Sequence, residues 1–205
     1  MFKRRDERPT TRRWVTERSR AVSRLRMSDD EAVVAEDPRI TTLYSYADKH
    51  TPAEFVAKLD ELGTDGAVVL GNMMTHTETA RMHFVVQSII DADEDMSLVE
   101  CLTQKRPYIK AACADGGAAR FAAFLAALES FVMHLEDKAI KEASIQEFDA
   151  VLKACWEWEL VDEESLRAWV ADERAARYYQ VSAKDAIRLR ERGQAFIEWV
   201  DAGEP

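Results

Sequence analysis

Residues 116–135 read GGAARFAAFLAALESFVMHL, and this stretch decides the fold predicted for the chain. Its large apolar residues recur at steps of three and four, the spacing of one face of an α-helix. Arg120, Glu129 and Glu136 fall outside that stripe. A stripe this wide predicts a helix at the centre of the core. Its apolar positions are Phe121, Phe124, Leu125, Leu128, Phe131, Val132 and Leu135.

Start signals for further helices lie on both sides of this stretch. In each, a Ser or Thr precedes an acid by three residues, which allows the two residues to cap a helix reciprocally. Pro52 stands at a first helical position, where its missing N–H costs nothing. These starts predict helices near residues 52–62, 76–91, 145–157 and 183–200. The capping pairs are Thr51 and Glu54, Thr75 and Glu78, Ser144 and Glu147, and Ser182 and Asp185.

The remaining segments also favour helices. Leu43 with Ala47, and the VVLGNMM run at 68–74, predict two more. Residues 98–113 predict a pair separated at Pro107, because a helix continues poorly through proline. Few glycines and prolines, seven and five in 205 residues, favour an all-α class with no sheet. Eight to ten short helices with short connections would form antiparallel neighbours, and such pairs can stack as a solenoid.

The charge divides the chain into two domains. Residues 1–26 carry ten Lys/Arg against three acids, a net +7, whereas the remainder carries −17. We predict a disordered or partner-bound basic arm at 1–37 and a helical domain at 38–205. The arm suits contact with RNA or the ribosome, and it equally suits a solvated linker. The candidate contacts are Arg4, Arg5, Arg12, Arg13 and Trp14.

Composition and motifs indicate no chemistry. Three cysteines without CxxC spacing predict neither a zinc site nor disulfides and favour a cytoplasmic protein. No apolar run approaches a membrane span, although an arginine-rich transit peptide stays open. The phosphate-binding glycine motifs are absent, and Met96 replaces the glycine that a calcium loop beginning at Asp91 would need. We therefore expect no catalytic residue, no metal and no cofactor.

Residues 155–169, CWEWELVDEESLRAW, are the most unusual stretch. Three tryptophans stand among five acids, with Arg167 as their cation. Trp156 and Trp169 can be read as core residues and Asp162 as a helix cap, because helix dipoles favour acids at amino termini. That interpretation leaves the acids on either side of Trp158 unexplained, and a face for a basic partner explains them. The segment QAFIEWVD at 194–201 repeats the pairing of aromatic and acidic residues.

These two segments carry a family resemblance. Residues 155–201 resemble the carboxy-terminal domain shared by eukaryotic translation initiation factor five, the epsilon subunit of the exchange factor for initiation factor two, and the four-gamma scaffold. Within that family, ARYYQVSAKDAIRLRERGQAFIEWVDA at 176–202 is most similar to factor five. The likeness covers residues 65–202, with a lesser one at 13–30. It implies a HEAT-like stack of antiparallel helix pairs.

The resemblance also implies a binding platform in translation initiation. The family domain holds the lysine-rich beta subunit of initiation factor two and contacts initiation factors one and three in the small-subunit preinitiation complex. Carried over, the first box comprises Trp156, Glu157, Trp158, Glu159, Asp162, Glu163, Glu164 and Trp169, and the second box comprises Phe196, Glu198 and Trp199.

Departures from the family narrow this expectation. The central helices of the family are rich in basic residues. In this chain the corresponding helices have only Lys105, Arg106, Lys110 and Arg120, which we predict to form a secondary basic surface. The family's long acidic tail has no counterpart after Asp201. The half of factor five that activates GTP hydrolysis has a four-cysteine zinc ribbon, so we expect no such activity from these residues. The equivalent epsilon-subunit domain and the factor-five mimic proteins stay open as alternatives.

Overall fold

The computed structural model describes residues 37–69, 72–73, 76–91, 96–172 and 181–203, and within these ranges the chain is all-α apart from one small hairpin. The helices, here numbered in chain order, are α1 Pro38–Ala47, α2 Pro52–Leu62, α3 Thr77–Ile89, α4 Leu98–Cys113, α5 Gly117–Met133, α6 Lys138–Gln146, α7 Phe148–Glu157, α8 Glu163–Ala171 and α9 Ala183–Asp201. The predicted all-α class is confirmed.

Local capping sets several helix starts as the sequence predicts. Thr51 Oγ1 accepts from the Glu54 N–H at 3.4 Å, and the Glu54 carboxylate accepts the Thr51 N–H at 2.8 Å. This reciprocal pair, with Pro52 beside it, starts α2. Ser182 likewise accepts the Asp185 N–H, at 3.1 Å, and starts α9. The ranges predicted near 52–62 and 183–200 are therefore confirmed.

The other two predicted caps are not found. Thr75 lies outside the described residues, and α3 begins at Thr77 with His76 at its N-cap position and no side-chain capping bond.

The cap predicted at Ser144 is wrong. Ser144 lies buried inside α6, and α7 begins after Glu147. Asp137 caps α6 instead, accepting from the N–H groups of the next turn at 2.7 and 3.0 Å. The Glu147 carboxylate accepts the Leu98 N–H at 2.7 Å and so ties this corner to the start of α4. A helix beginning at Asp137 places the Ser144 signal in its interior, where no cap is needed.

Two further predictions fail between residues 66 and 113. Strands β1 (Val68–Val69) and β2 (Asn72–Met73) form an antiparallel hairpin where we predicted a helix and no sheet, as suits the extended preference of paired valines. Pro107 lies within α4 rather than between two helices. Residues buried on both sides of it, Leu102 and Ile109, hold the helix through the proline. Pro107 and Thr103 are exposed, so water can reach the carbonyl that loses its donor.

Helix α5 is the centre of the core, as its stripe predicts. It packs against α3 and α8, while α9 packs against α7 and α8. Residues 123–133 are all buried, including Glu129, which is 1% exposed. The sequence placed Glu129 on the polar side of the helix, and that placement is wrong. The neighbours of α5 cover more of its circumference than the apolar stripe alone indicates.

Glu129 is accommodated by partners on two other helices. Its carboxylate accepts from Arg190 Nη2 at 2.8 Å and from the Trp169 indole Nε1–H at 3.1 Å. Arg190 also donates to the backbone carbonyls of Trp169 and, at 2.7 Å, of Asp172. The guanidinium thus satisfies carbonyls at the end of α8, which would otherwise lack donors. This network joins α5, α8 and α9, and it includes Trp169 of the predicted first box.

Glycine is required where α9 crosses α8. A Cβ at Gly193 would lie 2.6 Å from Trp169 Cζ3 and 2.8 Å from Val170 Cγ2. Any side chain there would push α9 away from α8. No helix in the described ranges combines the length and the apolar character needed to cross a membrane.

Candidate partner-binding site

The end of α7 shapes the first box through a tight left-handed turn. The Leu160 N–H donates to the Cys155 carbonyl at 2.8 Å and the Glu159 N–H donates to the Trp156 carbonyl at 2.9 Å. These two bonds form the Schellman arrangement, whose turn residue usually is glycine. Here that residue is Glu159, with φ of 58°. The turn leads directly into α8, so acids from both helix ends come together.

The two boxes meet as one aromatic cluster. The ring centroid of Trp156 lies 6.4 Å from that of Phe196 and 6.5 Å from that of Trp199, both edge-on. Phe196 stacks on Trp199 at 5.6 Å. The first and second boxes, which are separate in the sequence, therefore form a continuous surface through the packing of α9 against α7. Trp156 and Trp199 are partly buried, and Phe196 is 5% exposed.

An open groove of about 470 Å³ lies beside this cluster. Its walls combine apolar side chains with four carboxylates, which suits a long side chain with an apolar stem and a cationic end. The groove could therefore receive lysine or arginine side chains of a partner. Its lining residues are Phe121, Trp156, Glu157, Glu159, Val161, Asp162 and Glu163.

Cations of the chain already pair with some of these acids. Lys153 Nζ lies 3.9 Å from the Glu157 carboxylate, and Arg167 joins Glu163 to Asp201 at 2.5 Å each. Glu159 is exposed and forms no ion pair with any residue in the described ranges. It is thus the groove carboxylate most available to a partner.

Cations of the chain also cover two of the tryptophan rings. Lys153 Nζ lies 5.0 Å from the Trp199 ring centroid, and Arg106 Cζ lies 5.4 Å from that of Trp158. Within the described part of the chain, no cation lies over Trp156. Arg106 was assigned to the secondary basic surface, but it contacts the first box. Trp156 is left as the box tryptophan whose ring meets the groove without a cation above it.

Trp169 does not belong to this surface, so its assignment to partner binding is wrong. Its side chain is 2% exposed, and its indole N–H bonds the buried Glu129. Gly193 lies against one part of the ring, and Phe148 packs at 5.9 Å. Because α9 crosses directly over it, Trp169 serves the core. Phe196 is likewise mostly buried and supports Trp199 rather than offering a face.

Asp162 serves the fold as the cap of α8 while its carboxylate lines the groove. It accepts the Ser165 N–H at 2.7 Å. Hydrogen bonds from Ser165, side chain first and then backbone, hold the pKa of Asp162 below its usual value. The carboxylate therefore stays ionised well into the acidic range. Glu163 and Glu164 follow it in the first turn of α8, where the helix dipole stabilises negative charge.

The other predicted site residues do not line the groove. Glu198 is exposed and accepts from Gln194 Nε2 at 3.0 Å. Lys105 lies over Tyr108 at 6.0 Å. Arg120 is paired with Glu78 through bonds of 2.7 and 3.0 Å, so its charge is offset and does not join an open basic surface.

Lys110 is exposed on α4. The predicted contacts of the basic arm, Arg4, Arg5, Arg12, Arg13 and Trp14, lie outside the described residues.

Sequence reasoning missed three residues of the site. Phe121 was assigned to the core stripe and Val161 to no role, yet both line the groove. Lys153 stands four residues before Glu157, a spacing that signals an ion pair on one helix face. No local signal indicates its contact with Trp199, which lies on another helix.

Cys113 and Cys155 are buried and carry unreactive thiols. Burial raises the pKa of the Cys113 and Cys155 thiols to about 12, so both stay protonated at neutral pH.

Comparison of the chain with protein-family models, with curated proteins and with solved structures found no match. The site is therefore interpreted from its own geometry and charge.

Proposed function

We propose that this chain is a helical adaptor of translation initiation whose groove binds a lysine-rich segment of the beta subunit of initiation factor two. The observation that supports this most directly is the joining of the two boxes. Trp156 meets Phe196 and Trp199 in one cluster, beside a groove lined by four carboxylates. Such a surface combines contact area with negative charge, which a lysine-rich partner requires.

The physical chemistry of the groove favours lysine over an apolar ligand. Exposed acids raise the local concentration of a cationic segment and speed its association. An ammonium over a tryptophan face gains about 0.5–2 kcal/mol, depending on how dry the contact is. The lysine stem can meanwhile lie along Phe121 and Val161. Attraction and packing thus act on the same side chain.

The wider assignment rests on the resemblance of residues 65–202 to factor five. It includes a HEAT-like stack of helix pairs, contacts with initiation factors one and three and with the small ribosomal subunit, and a cytoplasmic location. Helices two apart in the chain pack on one another, as α1 with α3, α3 with α5 and α2 with α4 do, and this packing is compatible with such a stack. Co-purification with small ribosomal subunits would favour factor five, whereas co-purification with exchange-factor subunits would favour the epsilon subunit.

Charge neutralisation in the groove tests the binding function. The double variant Glu157→Gln, Glu159→Gln should bind a lysine-rich peptide of the beta subunit roughly tenfold less tightly than the wild type, because two carboxylates beside the ligand are lost. Fluorescence anisotropy of the labelled peptide measures the affinity. The effect should shrink as salt is added, since exposed charges are screened.

The matched control is Glu136→Gln, Glu191→Gln, which removes the same charge from exposed positions outside the groove. It should weaken binding far less. Equal weakening by both double variants would show general attraction to an acidic protein and would contradict a binding groove.

A further inference from the structure

Lys153 connects the two boxes from within the chain. It lies on α7, one turn before Glu157, with Nζ 3.9 Å from that carboxylate and 5.0 Å from the Trp199 ring centroid. The side chain is 49% exposed, so the contact is not enforced by burial. A single lysine of the protein thus makes both contacts that a lysine of a partner would make, one with a box carboxylate and one with a box tryptophan.

This arrangement leaves little of Trp199 for a partner. Phe196 stacks on the ring at 5.6 Å, Trp156 meets it edge-on at 6.5 Å, and Lys153 Nζ lies over it. An incoming ammonium reaches the ring only where Lys153 moves away. Because the lysine is half exposed and its ion pair with Glu157 is long, moving it costs little. Exchange of one ammonium for another is therefore feasible.

We propose that Lys153 is a built-in competitor that occupies the cation position at Trp199 and Glu157 and so limits the affinity of the groove for lysine-rich segments. This inference rests on the proposed function, since it concerns the same surface. A partner binds first through Trp156 and Glu159, which have no cation of the described chain in contact. It gains the Trp199 position only by displacing Lys153.

The direction of the effect sets this proposal apart from a structural role. Removing a structural lysine would weaken binding, whereas removing a competitor strengthens it. Lys153→Met keeps the apolar stem against Trp199 and removes the ammonium. The change also removes a positive charge from an acidic protein, which by itself strengthens binding of any cation. A control for that general attraction is needed.

Lys184→Met is the matched control, because Lys184 is exposed in the first turn of α9, fifteen residues and about 22 Å along the helix from Trp199. With an oligolysine peptide as the probe, Lys153→Met should bind about two- to fivefold more tightly than Lys184→Met, the gain of one exposed cation–π contact. In a background that carries both Trp199→Leu and Glu157→Gln, which removes the two groups that Lys153 contacts, the two lysine variants should bind alike.

Three results would overturn the inference. If Lys153→Met and Lys184→Met bound equally while the wild type still bound oligolysine, the result would agree with the binding groove and would contradict the role of Lys153 as a competitor. A gain that persists in the background with both Trp199→Leu and Glu157→Gln would show that Lys153 acts elsewhere. If neither the wild type nor Lys153→Met bound oligolysine, the result would contradict both the proposed function and this inference. Circular dichroism of each variant checks that it is folded.

Discussion

Glu159 combines a strained backbone conformation with a place in the wall of the groove. It adopts the left-handed conformation that ends α7, with φ of 58°. A residue with a Cβ pays about 1–2 kcal/mol in that conformation, which is why glycine usually stands there. In exchange the carboxylate lines the groove without an ion pair in the described chain. Glycine would complete the turn but remove the charge.

The variant Glu159→Gly should therefore be more stable and bind less tightly. We expect the free energy of unfolding to rise by about 1 kcal/mol, because the strain is relieved, and the affinity for a lysine-rich peptide to fall several-fold. Urea denaturation and peptide anisotropy measure the two quantities. Asp115→Gly is the control, since Asp115 has φ of 61° but does not line the groove. It should gain stability and leave binding unchanged, and parallel behaviour of the two variants would contradict the division of roles.

At the scale of helices, α4 and α2 place proline in opposite contexts. Pro107 lies in the interior of α4, where it removes one backbone hydrogen bond, whereas Pro52 stands at the start of α2, where no bond is lost. The interior proline opposes its helix, and the packing of Leu102 and Ile109 compensates. The initial proline favours its helix. The same residue type therefore carries opposite stability effects in one chain.

Replacing each proline with alanine tests this contrast. Pro107→Ala should raise the free energy of unfolding by about 1–3 kcal/mol, because the new N–H can donate to the Thr103 carbonyl. Pro52→Ala should leave stability unchanged or lower it slightly. Both are measured by urea denaturation. If Pro107→Ala proved no more stable than the wild type, the carbonyl of Thr103 would already be satisfied and the helix would not be opposed by its proline.

The helix boundaries show which information is local. Thr51 and Ser182 cap α2 and α9 because every group involved lies within four residues, so the sequence alone predicts them. Ser144 carries the same signal inside α6, and only the preceding cap at Asp137 reveals the difference. The local sequence predicts a helix boundary at Pro107. The helix continues there because packing on other helices stabilises it, and that packing is not visible in the local sequence. Local rules fail where tertiary contacts outweigh them.

At the scale of the whole molecule, the site depends on contacts that no local pattern encodes. The pairing of aromatic and acidic residues predicted both boxes, but their joining requires α9 to pack on α7. The same packing buries Trp169 beneath Gly193 and so removes it from the predicted surface. Glu129 is buried because Arg190, sixty-one residues away, reaches it. Composition therefore indicates the two segments of the predicted surface, and tertiary packing determines which of their side chains are exposed.

Acid sensitivity is a further property that we predict for the whole molecule, and we expect it to originate at His83. This histidine is 5% exposed on α3, and burial, with a smaller contribution from His134, lowers its pKa from 6.5 to about 3. The folded protein keeps His83 neutral while the unfolded chain takes up a proton below pH 6.5. The stabilisation is therefore complete above pH 6.5 and is lost progressively as the pH falls toward 3. By pH 5 the loss amounts to about 2 kcal/mol.

Between pH 7.5 and 5 the carboxylates of Asp37 and Glu78 stay ionised, because their pKa values are lowered from 3.8 and 4.5, so these two groups do not contribute to the loss. The His83→Leu variant should lose about 2 kcal/mol less between those pH values than the wild type, whatever its stability at neutral pH. Urea denaturation at several pH values gives both profiles. His134, whose pKa burial also lowers, should leave a smaller slope in the variant. Parallel profiles would show that His83 takes up its proton without unfolding, and would require water to reach its buried side chain.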